Sequence, residues 1–171
     1  MTKKRKVIVP ISNNLLLTKY APRNYIVNRN IRSFKDVLSQ NTKEPTLTSI
    51  SKDNGPQFVE GIIMGYLVFL NEEILNLSQP MTEIQIEYAA QMIVDEFHYF
   101  KLPDIVLIMK MIIKQDFGQL YGSLDPHKLL GFVREYDQRR QQYARQHKRK
   151  RIENEEVENF IKQNATKINK L

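Results

Sequence analysis

Positively charged side chains are concentrated between positions 139 and 151, where their type and spacing suit them to bind phosphate. This stretch, called the basic segment below, holds seven Arg and Lys residues and neither Asp nor Glu. The formal net charge of the whole chain is +7, so the basic segment alone equals it. Guanidinium and ammonium groups neutralise backbone phosphates, and a tyrosine ring can stack on a base. The side chains predicted to contact nucleic acid are Arg139, Arg140, Tyr143, Arg145, Lys148, Arg149, Lys150 and Arg151.

Other interpretations fit a basic helix as well. A solvated helix end, a nuclear-import signal and a docking site for an acidic protein would all have a similar composition. Contacts to phosphates carry no base-sequence information. Because DNA and RNA both present phosphates, the pattern does not distinguish DNA from RNA. A shorter cluster of the same type opens the chain, and we expect it to contact nucleic acid too: Lys3, Lys4, Arg5 and Lys6.

The remainder of the chain is mildly acidic. Residues 7–138 carry 12 basic and 15 acidic side chains, and residues 152–171 carry 3 basic and 4 acidic ones. Positive charge that is gathered in two segments indicates an anionic partner more strongly than a diffusely basic surface would.

The sequence offers no arrangement of side chains for catalysis. It contains no cysteine, which excludes disulfides, thiolate nucleophiles and cysteine-bound metals. Asp95 and His98 have half of the carboxylate–histidine spacing of a di-metal bundle, but no second such pair follows. Gly118 and Gly122 are not followed by the Gly-Lys-Ser/Thr of a phosphate-binding loop. We therefore expect a protein that is not an enzyme, with no catalytic residue, metal site or cofactor.

Hydrophobic segments that would direct the chain to a membrane are not evident. No uninterrupted apolar run reaches the roughly 18 residues that indicate a spanning helix, and residues 7–17 form a short apolar stretch interrupted by polar residues, without a cleavage site. We therefore expect no membrane partner.

The elements that carry these residues are all predicted to be helical. Apolar residues recur at steps of three and four from Pro56 to Leu77, which predicts a long amphipathic helix. Thr82 and Gln85 have the spacing of a capping box that starts a second helix. A third helix is predicted over residues 102–115, apolar on nearly every side, with Gly118 as its C-cap.

The basic segment is predicted to continue the last core helix. Asp125 fits as the N-cap of that helix and Pro126 as its first residue, and no glycine or proline interrupts the chain from residue 132 to 151. A separate short amphipathic helix is predicted after the basic segment, either docking into a partner's groove or folding back on the body. Its predicted partner-binding residues are Val157, Phe160, Ile161 and Ile168.

These elements predict an all-α fold, a small helical bundle with an extended N-terminal arm and a projecting basic C-terminal helix. Residues 1–55 are predicted to be the partly irregular arm, with one short helix beginning at Ser33. Residues 56–138 are predicted to form the helical core domain. Residues 139–171 are predicted to hold the basic helix and the terminal amphipathic helix.

Residues 85–140 carry a pattern that extends over about a third of the chain. It comprises the Leu102-Pro103-Asp104 helix start, the glycine turn over residues 117–122, and Tyr136 followed by Arg139-Arg140. This pattern resembles small uncharacterised all-α proteins of Bacteroidetes phages and mobile elements. The resemblance implies a replication accessory or adaptor factor, located in the cytoplasm of a host cell or in a virion. The alternative function is that of a virion structural or assembly protein. In the alternative, the basic helix binds an acidic protein partner or the packaged genome.

Overall fold

The computed structural model describes residues 18, 21–23, 31–40 and 44–168, and these residues are helical or lie in short connections. Within them there is no strand, only the isolated bridges Thr46–Lys101 and Gln79–Ser123. The predicted all-α class is therefore confirmed. The helices are α1 Phe34–Gln40, α2 Leu47–Asn54, α3 Pro56–Val68, α4 Glu83–Glu96, α5 Leu102–Ile113 and α6 Pro126–Ile168.

The chain divides after Arg134 into two compact units, one of residues 1–134 and one of residues 135–171. These limits differ from the predicted boundaries at residues 55 and 138. Leu47 and Ile50 of α2 are buried, and α2 packs against α3. The core of the first unit therefore begins before Pro56, because a segment predicted to belong to the arm contributes apolar side chains to it.

Helix α3 begins at Pro56 as predicted, but α-helical geometry ends at Val68 and a π-helical segment, Phe69–Ile74, follows. A π-turn contains one more residue than an α-turn, so it rotates the side chains that follow it. Asn71 lies in this segment, four residues after the buried Leu67, and its exposed fraction is only 4%. The chain becomes extended at Leu75, so the predicted continuation of this helix to Leu77 is wrong.

The predicted start of the α4 helix is confirmed. The Gln85 backbone N–H donates to Thr82 Oγ1 at 3.4 Å, and the Thr82 N–H donates to Gln85 Oε1 at 2.9 Å. This reciprocal pair satisfies two N–H groups that a helix start leaves without partners. The helix ends at Glu96, and Phe100, which lies beyond it, is fully buried and stacks on Phe97 with ring centroids 5.0 Å apart.

Helix α5 is buried on nearly every side, as its composition predicts. Its predicted C-cap, Gly118, is wrong. The helix ends at Ile113, and Gln115 takes the left-handed conformation with a φ of 60°. Asp116 N–H donates to Met111 O at 2.9 Å and Gln115 N–H to Ile112 O at 3.0 Å, which is the paired bonding of a Schellman motif. Gly118 has a φ of 106° in the turn beyond.

Helix α6 runs without interruption from Pro126 to Ile168. Its predicted N-cap is confirmed, since the Lys128 N–H donates to Asp125 Oδ1 at 2.9 Å. Near the start of α6, Arg134 forms an ion pair with Glu96 of α4 at 2.5 Å. The predicted separate terminal helix is wrong, because the residues assigned to it continue α6. No proline or glycine occurs after Gly131 to end the helix earlier.

Candidate nucleic-acid interface

The basic segment is helical along its whole length and lies within α6. Arg139 and Arg140 are half-buried, whereas every residue from Arg145 to Arg151 is exposed. The structure thus places the predicted contact residues on one continuous scaffold. Because a helix rises about 1.5 Å per residue, the segment presents its charges over roughly 18 Å.

Cations of the basic segment form ion pairs with acids of the same helix. Arg139 pairs with Glu135, Arg149 with Glu153 at 2.9 Å, and Arg151 with Glu155 at 3.4 Å, each four residues apart. The basic segment itself contains no acid, so its composition alone does not predict these pairs. The signal was present in the i, i+4 spacing of acids just outside both ends of the segment.

The Arg149–Glu153 and Arg151–Glu155 ion pairs are exposed, so they compete weakly with an external anion. The Arg149 and Glu153 side chains are 84% and 55% exposed. Pairs of this kind are worth about 0.3–0.5 kcal/mol, and salt weakens them. A phosphate group that approaches Arg149 can therefore replace Glu153 at little cost.

Arg145, Lys148 and Lys150 form no ion pair with any residue that the structure describes. A helix turns about 100° per residue, which places Arg145, Lys148 and Arg149 within roughly 100° of one another around α6. We call these three residues the phosphate face. Lys150 points to the other side of the helix.

The predicted base-stacking residue, Tyr143, lies on the side of α6 opposite the phosphate face. It is half-buried, and its ring already stacks on His147, with centroids 6.2 Å apart and planes 22° from parallel. Arg139 and Lys150 share its side of the helix, at about 40° or less from it. The structure therefore brings some of the predicted contact residues together but separates Tyr143 from the phosphate face.

The predicted partner-binding residues continue along the same helix. Val157, Phe160 and Ile161 are 58%, 68% and 59% exposed, and Ile168 is the last residue of α6. Four acids precede and flank them: Glu153, Glu155, Glu156 and Glu158. The predicted contacts at positions 3–6 lie outside the described residues.

Asp95 and His98 adjoin an open cavity of about 360 Å³, which Lys52 and Glu60 also line. His98 Nδ1 lies 3.4 Å from the Asp95 carbonyl oxygen, and the His98 carbonyl accepts from Thr48 Oγ1 at 2.9 Å. Among the described residues, no group of three or more His, Asp or Glu side chains is arranged to hold a metal ion. The imidazole thus contacts the backbone of its own helix end, and the His98 backbone carbonyl joins α2 to the end of α4.

A second basic feature, which the sequence did not indicate, lies on α5. Lys110 Nζ donates to the Ile31 carbonyl at 3.0 Å, which joins α5 to the residues before α1. Burial, together with the positive charges of Arg32 and Lys114, lowers the pKa of Lys110. This side chain serves the packing of the first unit and is not part of the basic segment.

No helix of the described chain is both long enough and apolar enough to cross a membrane. Comparisons with protein-family models, with curated proteins and with solved structures find no match to this chain.

Proposed function

We propose that this chain is a non-enzymatic nucleic-acid-binding protein that contacts the phosphate backbone through the basic segment. The observation that carries the proposal is the phosphate face. Arg145, Lys148 and Arg149 are exposed and lie on one side of a continuous helix. Arg145 and Lys148 have no ion pair within the described chain, and Arg149 has only an exposed one.

Binding through this face releases counterions from the nucleic acid. Each phosphate that is neutralised on duplex DNA contributes about −0.9 to the slope of log K against log salt concentration. Seven contacts would give a slope of roughly −6. Contacts to phosphates carry no base-sequence information, so we expect binding without base-sequence specificity.

The proposed biological setting is a phage or mobile element, where the chain would assist replication by tethering a protein partner to nucleic acid. This part of the proposal draws on the resemblance over residues 85–140. Phe160, which is 68% exposed, supplies apolar surface for a protein contact. The corresponding location is the cytoplasm of the host cell or the virion.

The test is a salt titration of binding to duplex and single-stranded DNA, in which binding is measured by the fluorescence anisotropy of a labelled oligonucleotide. Wild type is compared with a triple variant of the phosphate face, Arg145→Gln, Lys148→Gln and Arg149→Gln. We expect the variant to bind more weakly and its slope on duplex to be shallower by about 3.

A charge-matched control separates this face from net charge. The triple variant Lys35→Gln, Lys52→Gln and Lys114→Gln removes three exposed positive charges from the first unit. We expect it to retain the wild-type slope. Equal loss of binding in both triple variants, or no binding by wild type at low salt, would overturn the proposal.

A further inference from the structure

Helix α6 carries a second face, opposite the phosphate face, whose spacing is that of a helix that packs along another helix. We call it the heptad face. Its members recur at alternating steps of four and three residues: Tyr143, His147, Lys150, Asn154, Val157 and Ile161. This is the heptad spacing that keeps one side of a helix against a partner. Val157 and Ile161 are more than half exposed, so nothing in the described chain covers them.

Charge along the same helix changes sign near residue 152. The basic segment carries +7, and residues 153–158 carry four acids and no base. Two copies of α6 that pack in parallel would place like charges against each other. An antiparallel pair instead sets the basic segment of each copy opposite the acidic stretch of the other, which is an attractive arrangement at low salt.

We propose that the partner of this face is a second copy of the chain, packed antiparallel along α6 with the two-fold axis at the level of residue 152. This alignment sets Tyr143 opposite Ile161 and His147 opposite Val157. Lys150 then lies opposite Asn154. Aromatic side chains thus contact apolar ones at both ends of the interface. The polar central layer of Lys150 and Asn154 restricts the register of the two helices.

The proposal does not rest on the proposed function, because the two faces are distinct. The phosphate face lies roughly 120–160° around the helix from the heptad face. Arg145, Lys148 and Arg149 therefore stay exposed in the antiparallel pair. Self-association and nucleic-acid binding can succeed or fail independently.

Sedimentation equilibrium of the full chain at low salt tests the association, on protein purified free of nucleic acid by nuclease and high salt. We expect a concentration-dependent mass that approaches twice that of the single chain. The double variant Val157→Ser and Ile161→Ser should raise the dissociation constant at least tenfold. Ile152→Ser is the matched control, since Ile152 is also exposed, at 42%, but points to the opposite side of α6.

Single-cysteine variants test the orientation, because the chain contains no cysteine of its own. Tyr143→Cys mixed with Ile161→Cys should form a disulfide-linked pair. Ile161→Cys alone should not, since the two copies of position 161 would be about 27 Å apart along the axis. A disulfide-linked pair of Ile161→Cys alone, with none in the mixture, would establish a parallel pair and overturn the proposal. A wild type that is monomeric at every concentration would also overturn it. In the latter case the heptad face would be left to a different protein.

Discussion

The Asn71 carboxamide forms two hydrogen bonds with the backbone of Met81, ten residues along the chain. Met81 N–H donates to Asn71 Oδ1 at 2.9 Å, and Asn71 Nδ2 donates to the Met81 carbonyl at 3.1 Å. Both residues are buried. The pair joins the π-helical segment after α3 to the entry of α4, so one side chain closes the connection between two core helices.

Replacement of Asn71 by alanine should lower the free energy of unfolding by about 2–4 kcal/mol. The substitution leaves the Met81 N–H and carbonyl buried without those partners, and an unsatisfied buried group costs about 1–3 kcal/mol. Urea unfolding of the full chain measures the difference. Asn76→Ala is the matched control, because Asn76 is exposed in the same connection and should change stability by less than about 0.5 kcal/mol. Equal stability of the Asn71→Ala variant and wild type would contradict this role.

The end of α5 should become more stable when Gln115 is replaced by glycine. Gln115 has a φ of 60°, a conformation that glycine adopts without strain and that costs other residues about 1 kcal/mol. We therefore expect Gln115→Gly to raise the free energy of unfolding by up to about 1 kcal/mol. Gly118→Ala, at a φ of 106°, should lower it. If Gln115→Gly destabilises the protein, the Gln115 side chain contributes more to the free energy of unfolding than its left-handed backbone conformation costs.

The features of this fold that sequence predicts are those set by local geometry. The Thr82–Gln85 capping box and the Asp125 cap each involve residues three apart, so composition and spacing determine them. The π-helical segment contains Asn71, whose hydrogen-bonding partner Met81 lies ten residues along the chain, so no local pattern predicts this pair. Helix α2 buries only Leu47 and Ile50 and so has too few apolar residues to form a recognisable stripe.

The candidate interface also has features that the sequence predicts and features that it does not. Its charge and helical scaffold follow from composition, whereas the separation of its residues into two faces requires the helix to be continuous. The Arg149–Glu153 pair could have been found by extending the i, i+4 rule past the end of the basic segment. The Schellman motif at Gln115 could not have been found from the sequence, since the glycine three residues later is the stronger statistical signal for a helix end.

Stability should increase with pH in the alkaline range through Lys110. Its folded-state pKa lies below the unfolded value of 10.5, so the unfolded chain binds more protons between these two values. The unfavourable burial of the charged amine is therefore present below the folded pKa and is lost as pH rises toward 10.5. Urea unfolding at a series of alkaline pH values should show this contribution in wild type and lose it in Lys110→Gln. Lys52→Gln, an exposed lysine on α2, should behave as wild type.

Nucleic-acid binding should depend on the continuity of α6 as well as on its charge. Gln146→Pro places proline between Arg145 and Lys148, where it removes a backbone hydrogen bond and costs the helix about 3 kcal/mol. The variant keeps every charge of the basic segment, and Gln146→Ala keeps both the charge and the helix. We expect Gln146→Pro to lose helicity by circular dichroism and to bind duplex DNA several-fold more weakly than Gln146→Ala. The phosphate face exists only where Arg145, Lys148 and Arg149 are held on one helix, so a break in the helix should weaken binding. Equal affinity of the two variants would instead mean that positive charge alone is sufficient.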